Sequence, residues 1–213
     1  CPLGPAVGLF DAMRIGADVA PDWRPNFKGI QVFFRKEPSM PAVINSVQNP
    51  LTRAFMHCEW WANDADCLLL RPDSNLSLLE VQTLATLIAL TGGPLLFSDD
   101  VSKLPEERVE LGRSLLPLIG KTPWVVDWFD KQKPSMLRVD LHNLTGMWHL
   151  LAKFNWEDHP ITPDLSTADY HLEGADSISR DFWNRKVYQM RFGGFSDHTI
   201  PPHGVHLLAV RPF

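Results

Sequence analysis

The feature that most constrains the fold is the regular alternation of short strand candidates with longer helical segments before residue 120. Apolar runs of strand length are each followed by a stretch with helical spacing, and the six segments are residues 13–19, 41–57, 60–71, 75–90, 94–100 and 105–119. Such alternation is typical of a parallel sheet whose strands are joined by crossover helices. Residues 1–120 are therefore predicted to form an α/β unit.

The helices of this unit carry sequence signals at their ends. Ser77 and Glu80 match the capping box S-x-x-E ahead of an apolar stretch, and Pro105 followed by two Glu residues opens the next helix. Gly120 is predicted to close that helix.

The pattern changes after Lys121. The later segments alternate apolar and polar residues without a helical period, and the strand candidates are residues 124–132, 135–143, 147–156, 185–195 and 205–212. This alternation indicates a small antiparallel β domain over residues 121–213. Residues 157–180 are expected to include a long loop.

Charge and hydropathy argue against two classes of partner. The chain has 20 basic and 25 acidic residues and a formal charge of -5, so it lacks the basic stripe that binds nucleic acid. Its longest apolar run, residues 83–97, is interrupted by Thr residues and a Gly pair. That run falls short of the roughly 18 residues that suggest a membrane-spanning helix.

Cysteine usage favours a reducing, cytoplasmic compartment. The three cysteines, Cys1, Cys58 and Cys67, are too few for a disulfide framework and do not have the spacing of a zinc site. The first residues, CPLGPAVG, contain neither a basic region nor an initiator Met. We therefore expect the chain to begin inside a longer protein, so secretion is left open.

Polar side chains gather at the ends of three predicted strands. Asp18 follows the first strand, Asn63, Asp64 and Asp66 end the second, and Asp99 and Asp100 follow the third. In parallel α/β architectures functional side chains collect at the carboxyl ends of strands. An Asp can instead cap a helix or form a turn, and that reading is favoured for the third strand. For the first two strands a functional rim is favoured.

The first predicted strand carries two opposite charges on one face. If residues 13–19 are extended, Arg14 and Asp18 point the same way with only Gly16 between them. The small residues also suggest that the end of the strand lies close to another element. At the mouth of a barrel such a pair would be partly desolvated. A plain stabilising ion pair is the alternative.

Three ordered segments carry a family resemblance. They are CPLGPAVGLFDAMRIGADVAPDW, NPLTRAFMHCEWWANDADCLLLR and TLIALTGGPLLFSDDVSKLPEER. Together they resemble the melibiase-type α-galactosidases, glycoside hydrolase family 36 and its clan relatives. The resemblance covers residues 1–120 and is weaker in the β domain. The second segment is similar to the family pattern W-x-N-D-P-D, with Ala65 in place of the usual Pro.

The resemblance implies roles for the rim residues. Asp18 would be the general acid/base carboxylate. The substrate-contacting set would be Arg14, on the same strand as Asp18, with Cys1, Trp61, Asn63 and Asp64, and Asp66 would support these groups from behind. No metal or organic cofactor is implied, because glycoside chemistry with two carboxylates needs none.

The same resemblance places the nucleophile outside this chain. In the family it is an Asp in a Lys-x-Asp context on an earlier strand, which would lie upstream of Cys1. A complete (β/α)8 TIM barrel takes about 250 residues, so residues 1–120 are interpreted as its C-terminal half, followed by the β domain. We therefore expect a fragment of a retaining α-galactosidase that hydrolyses terminal α-galactosides and is inactive by itself.

Several alternatives stay open at this stage. An α-N-acetylgalactosaminidase or a galactosyl transferase of the raffinose-synthase type would share these residues, because upstream loops would set the specificity. A non-catalytic glycan-binding remnant that kept the rim residues is a further alternative. A parent protein without an upstream Lys-x-Asp strand would favour that remnant. The oligomeric state is also open.

Overall fold

The computed structural model describes residues 3–26, 36–144, 146–173, 176–190, 193–194 and 199–213. Cys1, one of the predicted substrate contacts, lies outside the described residues. The chain divides into two compact units, Cys1–Thr122 (unit 1) and Pro123–Phe213 (unit 2). Within the described ranges, no helix is long and apolar enough to cross a bilayer.

Unit 1 combines short strands with helices. The strands are β1 (Ala12–Arg14), β2 (Ala62–Asp64), β3 (Cys67–Leu68) and β4 (Leu96–Phe97), and the helices are α1 (Val43–Ser46), α2 (Gln48–Thr52), α3 (Leu78–Leu90) and α4 (Glu106–Ser114). Short 3₁₀ turns lie at Gly4–Ala6, Ala54–Met56 and Val101–Lys103. β1 pairs with β2 in parallel, and β3 pairs with β4 in parallel.

The strands of unit 1 are shorter than the sequence predicts. The predicted strand 13–19 ends at Arg14, so Asp18 lies in the loop beyond β1 and not on the same strand. The predicted strand 60–71 is divided between β2 and β3, where Asp66 adopts a φ of 77°. A left-handed backbone cannot continue an extended strand. Residues 62–68 therefore pair with two different strands. The β2 part pairs with β1, and the β3 part pairs with β4.

The predicted start of α3 is confirmed. Ser77 accepts a hydrogen bond from the Glu80 N–H, and the Glu80 carboxylate accepts one from the Ser77 N–H at 2.7 Å. This reciprocal capping box satisfies two of the N–H groups that a helix start leaves without partners. Leu84, Leu87 and Ile88 on this helix are buried, so α3 is part of the core of unit 1.

Two other predicted helices are corrected. The predicted helix 41–57 is divided into α1 and α2, because Pro50 has no N–H to donate to the Ser46 carbonyl four residues earlier. The predicted helix 105–119 ends at Ser114. Pro117 stops it, because a proline disfavours helical backbone in the residue before it. Gly120 therefore does not close this helix.

Unit 2 contains a six-stranded antiparallel sheet within the described residues, which confirms the predicted β domain. The strands are β5 (Trp124–Val125), β6 (Met136–Asn143), β7 (Gly146–Phe154), β8 (Ser177–Asp181), β9 (Val187–Met190) and β10 (Val205–Pro212). Their order in the sheet is β5-β6-β7-β10-β8-β9. The buried cluster on this sheet is Met136, Leu151, Tyr170, Met190, Leu208 and Val210.

Strand β8 begins inside the segment that the sequence assigns to a long loop. Its buried positions are Ser177, Ser179 and Asp181, and its exposed positions include Ile178. This is the reverse of the apolar-inside alternation that identifies a half-buried strand. Hydrogen bonding to β10 and β9, and not apolar patterning, defines this strand.

A buried lysine is the least expected charge in unit 2. The Nζ of Lys153 donates to the Ser135 hydroxyl at 2.8 Å, and that hydroxyl donates to an Asp127 carboxylate oxygen at 2.7 Å. Asp127 also accepts the N–H groups of Ser135 and Met136. Burial, together with the nearby Lys131 ammonium, lowers the pKa of Lys153 from 10.5 to about 8. The folded protein therefore holds this proton less tightly than the unfolded chain does.

We predict that unit 2 is more stable at alkaline pH than at neutral pH because of Lys153. Between pH 8 and 10.5 the unfolded chain binds more protons at this site than the folded one, so the free energy of unfolding rises with pH in this window. Lys153→Met should abolish this rise. At pH 7 it should increase the free energy of unfolding by up to about 3 kcal/mol, because no ammonium is then buried. Urea unfolding, followed through hydrogen exchange of the β7 amides, measures both effects.

The matched control is Lys186→Met, which removes an exposed ammonium from the same unit. It should leave both the stability and its pH dependence unchanged. A pH profile of the Lys153→Met protein that matches the wild-type profile would contradict the assignment.

Candidate active site

The candidate site lies where β1 and β2 end side by side. In the parallel register Arg14, the last residue of β1, is opposite Asp64, the last residue of β2. The Ile15 N–H continues the pairing by donating to the Asp64 carbonyl at 3.2 Å. The register thus brings a guanidinium and a carboxylate together, as expected for the carboxyl ends of parallel strands.

The Arg14 guanidinium contacts three carboxylates. Its Nη1 lies 2.9 Å from Asp18 Oδ1, its Nε 3.4 Å from Asp64 Oδ2 and its Nη2 2.7 Å from Asp66 Oδ1. The structure therefore brings together Arg14 and three of the carboxylates that the sequence places at the rim. We call these four residues the Arg14 cluster.

Exposure is graded across the Arg14 cluster. The side chain of Asp66 is 9% exposed, that of Asp64 20% and that of Asp18 73%. The sequence predicts that the Arg14–Asp18 pair is partly desolvated. Asp18 is instead mostly exposed, and the partly desolvated partners of Arg14 are Asp64 and Asp66. Asp18 is accessible to a ligand, whereas Asp66 is not.

Asp66 ties the loop that carries Asp18 to β3. One of its oxygens accepts the Val19 N–H at 2.7 Å and the other accepts the Cys67 N–H at 2.7 Å. Asp64 in turn accepts the Asp66 N–H at 2.8 Å. Hydrogen bonds to a charged acceptor are among the stronger ones in proteins, so Asp66 fixes the residue that follows Asp18.

The same loop is held by the start of α1. The N–H groups of Ala42, Val43 and Ile44 donate to the carbonyls of Asp18, Asp22 and Trp23, at 3.2, 3.1 and 3.0 Å in that order. Asn75 adds a backbone bond to Pro21 and a side-chain bond to Asp22. The backbone around Asp18 is therefore anchored from three directions.

Gly16 allows a helix to approach this loop closely. A Cβ at this position would lie 3.1 Å from the Ser46 carbonyl oxygen and 3.5 Å from atoms of Asn49 and Pro50. This confirms the prediction that small residues mark a strand end close to another element. The neighbouring element is the α1–α2 pair.

Trp61 and Asn63, predicted to contact substrate, are both buried. The Trp61 Nε1–H donates to Asn63 Oδ1 at 3.0 Å, and the Asn63 amide donates to the Arg53 carbonyl at 2.9 Å. Gly93 presses against the same strand, since a Cβ there would lie 1.9 Å from the Asn63 carbonyl oxygen. The structure thus corrects their position: both residues stabilise β2 from within and do not line its exposed rim.

His57 completes this internal support. Its Nδ1 accepts the Asn63 N–H at 3.1 Å, which requires a neutral ring. Burial lowers the pKa of His57 below its usual 6.5. The hydrogen bond to β2 is therefore preserved at neutral pH.

The two aspartates after β4 are structural. The side chain of Asp99 is 1% exposed, lies 2.9 Å from Arg71 and accepts the Leu70 N–H. Asp100 accepts the Ser102 N–H at the start of a 3₁₀ turn, as the capping interpretation predicts. Neither belongs to the Arg14 cluster by any contact described.

Sequence reasoning did not identify Arg53 or Asn75. Both anchor backbone around Asp18 and β2, yet each is a single polar residue without a motif of its own.

Within the described ranges, no three His, Cys, Asp or Glu side chains are placed to hold a metal ion.

Comparisons with known proteins identify the fold. The chain is similar to the crystal structure of α-galactosidase I from Mortierella vinacea, with a TM-score of 0.71, 18% identity and coverage of 99% of this chain and 55% of that one. It is similar to an α-galactosidase from Saccharomyces cerevisiae, with a TM-score of 0.66, 13% identity and coverage of 97% and 60%. No protein-family profile matches the chain.

A third solved structure shares the fold. It is a family 27 β-L-arabinopyranosidase from Geobacillus stearothermophilus, with a TM-score of 0.69, 15% identity and coverage of 95% of this chain and 45% of that one. The resemblance to the α-galactosidase fold is thus confirmed, and this third neighbour carries the family number 27, whereas the sequence resemblance names family 36. At these identities the likeness establishes the fold, and the chain spans about half the length of these proteins.

We predict that Asp66 and Asp18 contribute very differently to stability. Asp66→Asn should lower the free energy of unfolding by about 3 kcal/mol, because it removes the buried charge that pairs with the partly exposed Arg14 and that accepts the Val19 and Cys67 N–H groups. Asp18→Asn should change it by less than about 0.5 kcal/mol, because the exposed carboxylate stays solvated. Urea unfolding of the two variants in parallel measures the difference. Equal losses would contradict the graded exposure of the cluster.

Proposed function

We propose that the chain is part of a retaining glycoside hydrolase whose substrate is a terminal α-galactoside. The shared fold with α-galactosidases supports this assignment. The observation that carries it is the placement of one exposed carboxylate, Asp18, 2.9 Å from Arg14, in front of a buried part of the same cluster. A carboxyl group so placed is accessible to the glycosidic oxygen of a bound sugar.

Asp18 is proposed as the general acid/base. Retaining hydrolysis uses two carboxyl groups about 5–5.5 Å apart, one of which attacks the anomeric carbon while the other protonates the leaving oxygen. Asp18 would donate that proton as the glycosidic bond breaks, and would then remove a proton from the attacking water. The nucleophile is proposed to be an Asp in a Lys-x-Asp strand of the parent polypeptide, outside this chain.

Arg14 is proposed to bind the substrate beside Asp18. A guanidinium carries five N–H donors, so it can hold three carboxylates and still donate to a sugar hydroxyl. Because Asp64 and Asp66 share its charge, its attraction for Asp18 is weaker than in an isolated pair. Asp64 and Asp66 would fix the guanidinium, and Asp18 would stay available for proton transfer.

The finer fold assignment is also a proposal. Residues 1–120 would form the C-terminal part of a (β/α)8 barrel and residues 121–213 its C-terminal β domain. The parallel pairing of β1 with β2 and of β3 with β4 supports this, as does the polar cluster at the strand ends. The greater length of the structural neighbours fits a parent with further strands.

We predict that the effect of Asp18→Asn on turnover by the parent polypeptide depends on the leaving group. Turnover of natural α-galactosides, whose leaving groups are poor, should fall by about 10²–10⁴-fold, the usual contribution of general acid catalysis. Activated aryl α-galactosides need little protonation and should lose much less. Steady-state kinetics on both substrates give the ratio.

The matched control is Asp73→Asn, which removes an exposed carboxylate that lies 3.7 Å from Arg71. It should leave both substrates unaffected. Equal losses on both substrates in Asp18→Asn would count against the acid role. Parallel assays with α-N-acetylgalactosaminides and β-L-arabinopyranosides test which sugar the enzyme prefers. If either is turned over faster than the α-galactoside, that sugar replaces α-galactose in the proposed function.

We predict that the 213-residue chain alone does not hydrolyse α-galactosides. Asp18 can supply only one of the two carboxyl roles, and the proposed nucleophile lies elsewhere. The measurement is release of aryl alcohol from an activated α-galactoside by the purified chain. Catalytic turnover would show that both carboxylates are present here.

A further inference from the structure

Arg53 joins the two strands that end at the Arg14 cluster. It is the residue directly after α2, and its side chain is partly buried. Its guanidinium donates to the Ile15 carbonyl, one residue beyond β1, and its own carbonyl accepts the Asn63 side-chain amide in β2 at 2.9 Å. One residue thus contacts the ends of both strands.

The contact with Ile15 fixes both sides of one residue. The Ile15 N–H donates to the Asp64 carbonyl at 3.2 Å, while its carbonyl accepts from Arg53. Ile15 is buried and lies between Arg14 and the loop that carries Asp18. The direction in which the chain leaves β1 is therefore set by β2 on one side and by Arg53 on the other.

Arg53 complements the other anchors of the loop. Asp66 holds the loop at Val19, beyond Asp18, and Arg53 holds it at Ile15, before Asp18. Gly16 lies between the two anchors, and a Cβ at this position would lie 3.1 Å from the Ser46 carbonyl oxygen. Without Arg53, the Ile15 carbonyl loses its partner, while the Ile15 N–H, the Asp18 carbonyl and the Val19 N–H keep theirs.

We propose that Arg53 is a positioning residue for the acid/base carboxylate, acting through the Ile15 carbonyl. The inference rests on the proposed function of Asp18. A displacement of about 1 Å in a reacting group can cost 10²-fold in rate. Proton donation depends on the placement of Asp18, so the loss should be confined to the step that needs the proton.

The test is leaving-group kinetics of Arg53→Met and Arg53→Lys in the parent polypeptide. For Arg53→Met we expect kcat/KM to fall about 100-fold on natural α-galactosides and only a few-fold on activated aryl α-galactosides. The loss should lie in kcat, with KM little changed. Arg53→Lys keeps a donor that can reach the carbonyl and should recover part of the lost activity.

The matched control is Arg113→Met, which removes a mostly exposed guanidinium that pairs with Glu106 on the surface of unit 1. It should leave both substrates unchanged. Thermal unfolding of each variant shows whether the variant folds. A loss of activity in a folded variant is then due to misplacement of Asp18 and not to misfolding. If Arg53→Met does not fold, the leaving-group ratio of Arg53→Lys decides the question.

Two results would overturn the inference. One is an equal loss on both substrates, which is what a merely structural arginine would give. The other is no loss on either substrate. A wild-type parent that hydrolyses no glycoside would instead reject the proposed function itself, so the two failures are distinguishable.

Discussion

The interaction on which the site depends is the contact of one guanidinium with three carboxylates. Arg14 ends β1, Asp64 ends β2 and Asp66 directly precedes β3, so a single cation links the ends of two strands with the start of a third. The inner contacts are shielded from water and are strengthened by backbone N–H donors. The outer contact, to Asp18, is solvated and correspondingly weak. The cluster is therefore rigid on its inner side and adaptable on its outer side.

The loop and the helix beside it depend on each other. α1 begins after Ala42, whose side chain cannot cap a helix, so its first N–H groups would otherwise lack partners. The carbonyls of Asp22 and Trp23 accept two of these donors. A short helix that is weak by itself is thus stabilised by the loop, and the loop gains a fixed backbone in return. Neither element would be expected to keep its shape without the other.

The sequence predicted the elements whose signals are local and failed where long-range contacts decide. The capping box of Ser77 and Glu80 and the antiparallel sheet of unit 2 follow from residue patterns, and both are observed. The break at Asp66 does not, because the contacts of its carboxylate with Arg14 and with the Val19 N–H come from residues far away in the chain. β8 was missed because its buried face is polar.

The candidate site shows the same division. The grouping of Arg14 with Asp18, Asp64 and Asp66 was predictable, because parallel strands bring their ends together. The burial of Trp61 and Asn63 was not, since a polar residue beside a strand end resembles a rim residue until its partners are known. Arg53 gave no signal, because its function depends on a carbonyl that is 38 positions away in the chain.

The graded exposure of the Arg14 cluster has an evolutionary consequence. Under the proposed function, the inner carboxylates support the fold and the outer one supports the chemistry, so a single codon change at position 18 separates the two. A lineage can lose turnover in this way without losing the protein, since no compensating substitution is needed to keep it folded. Inactive descendants would then persist under selection for other properties, and an intact fold among relatives is no guarantee of catalysis.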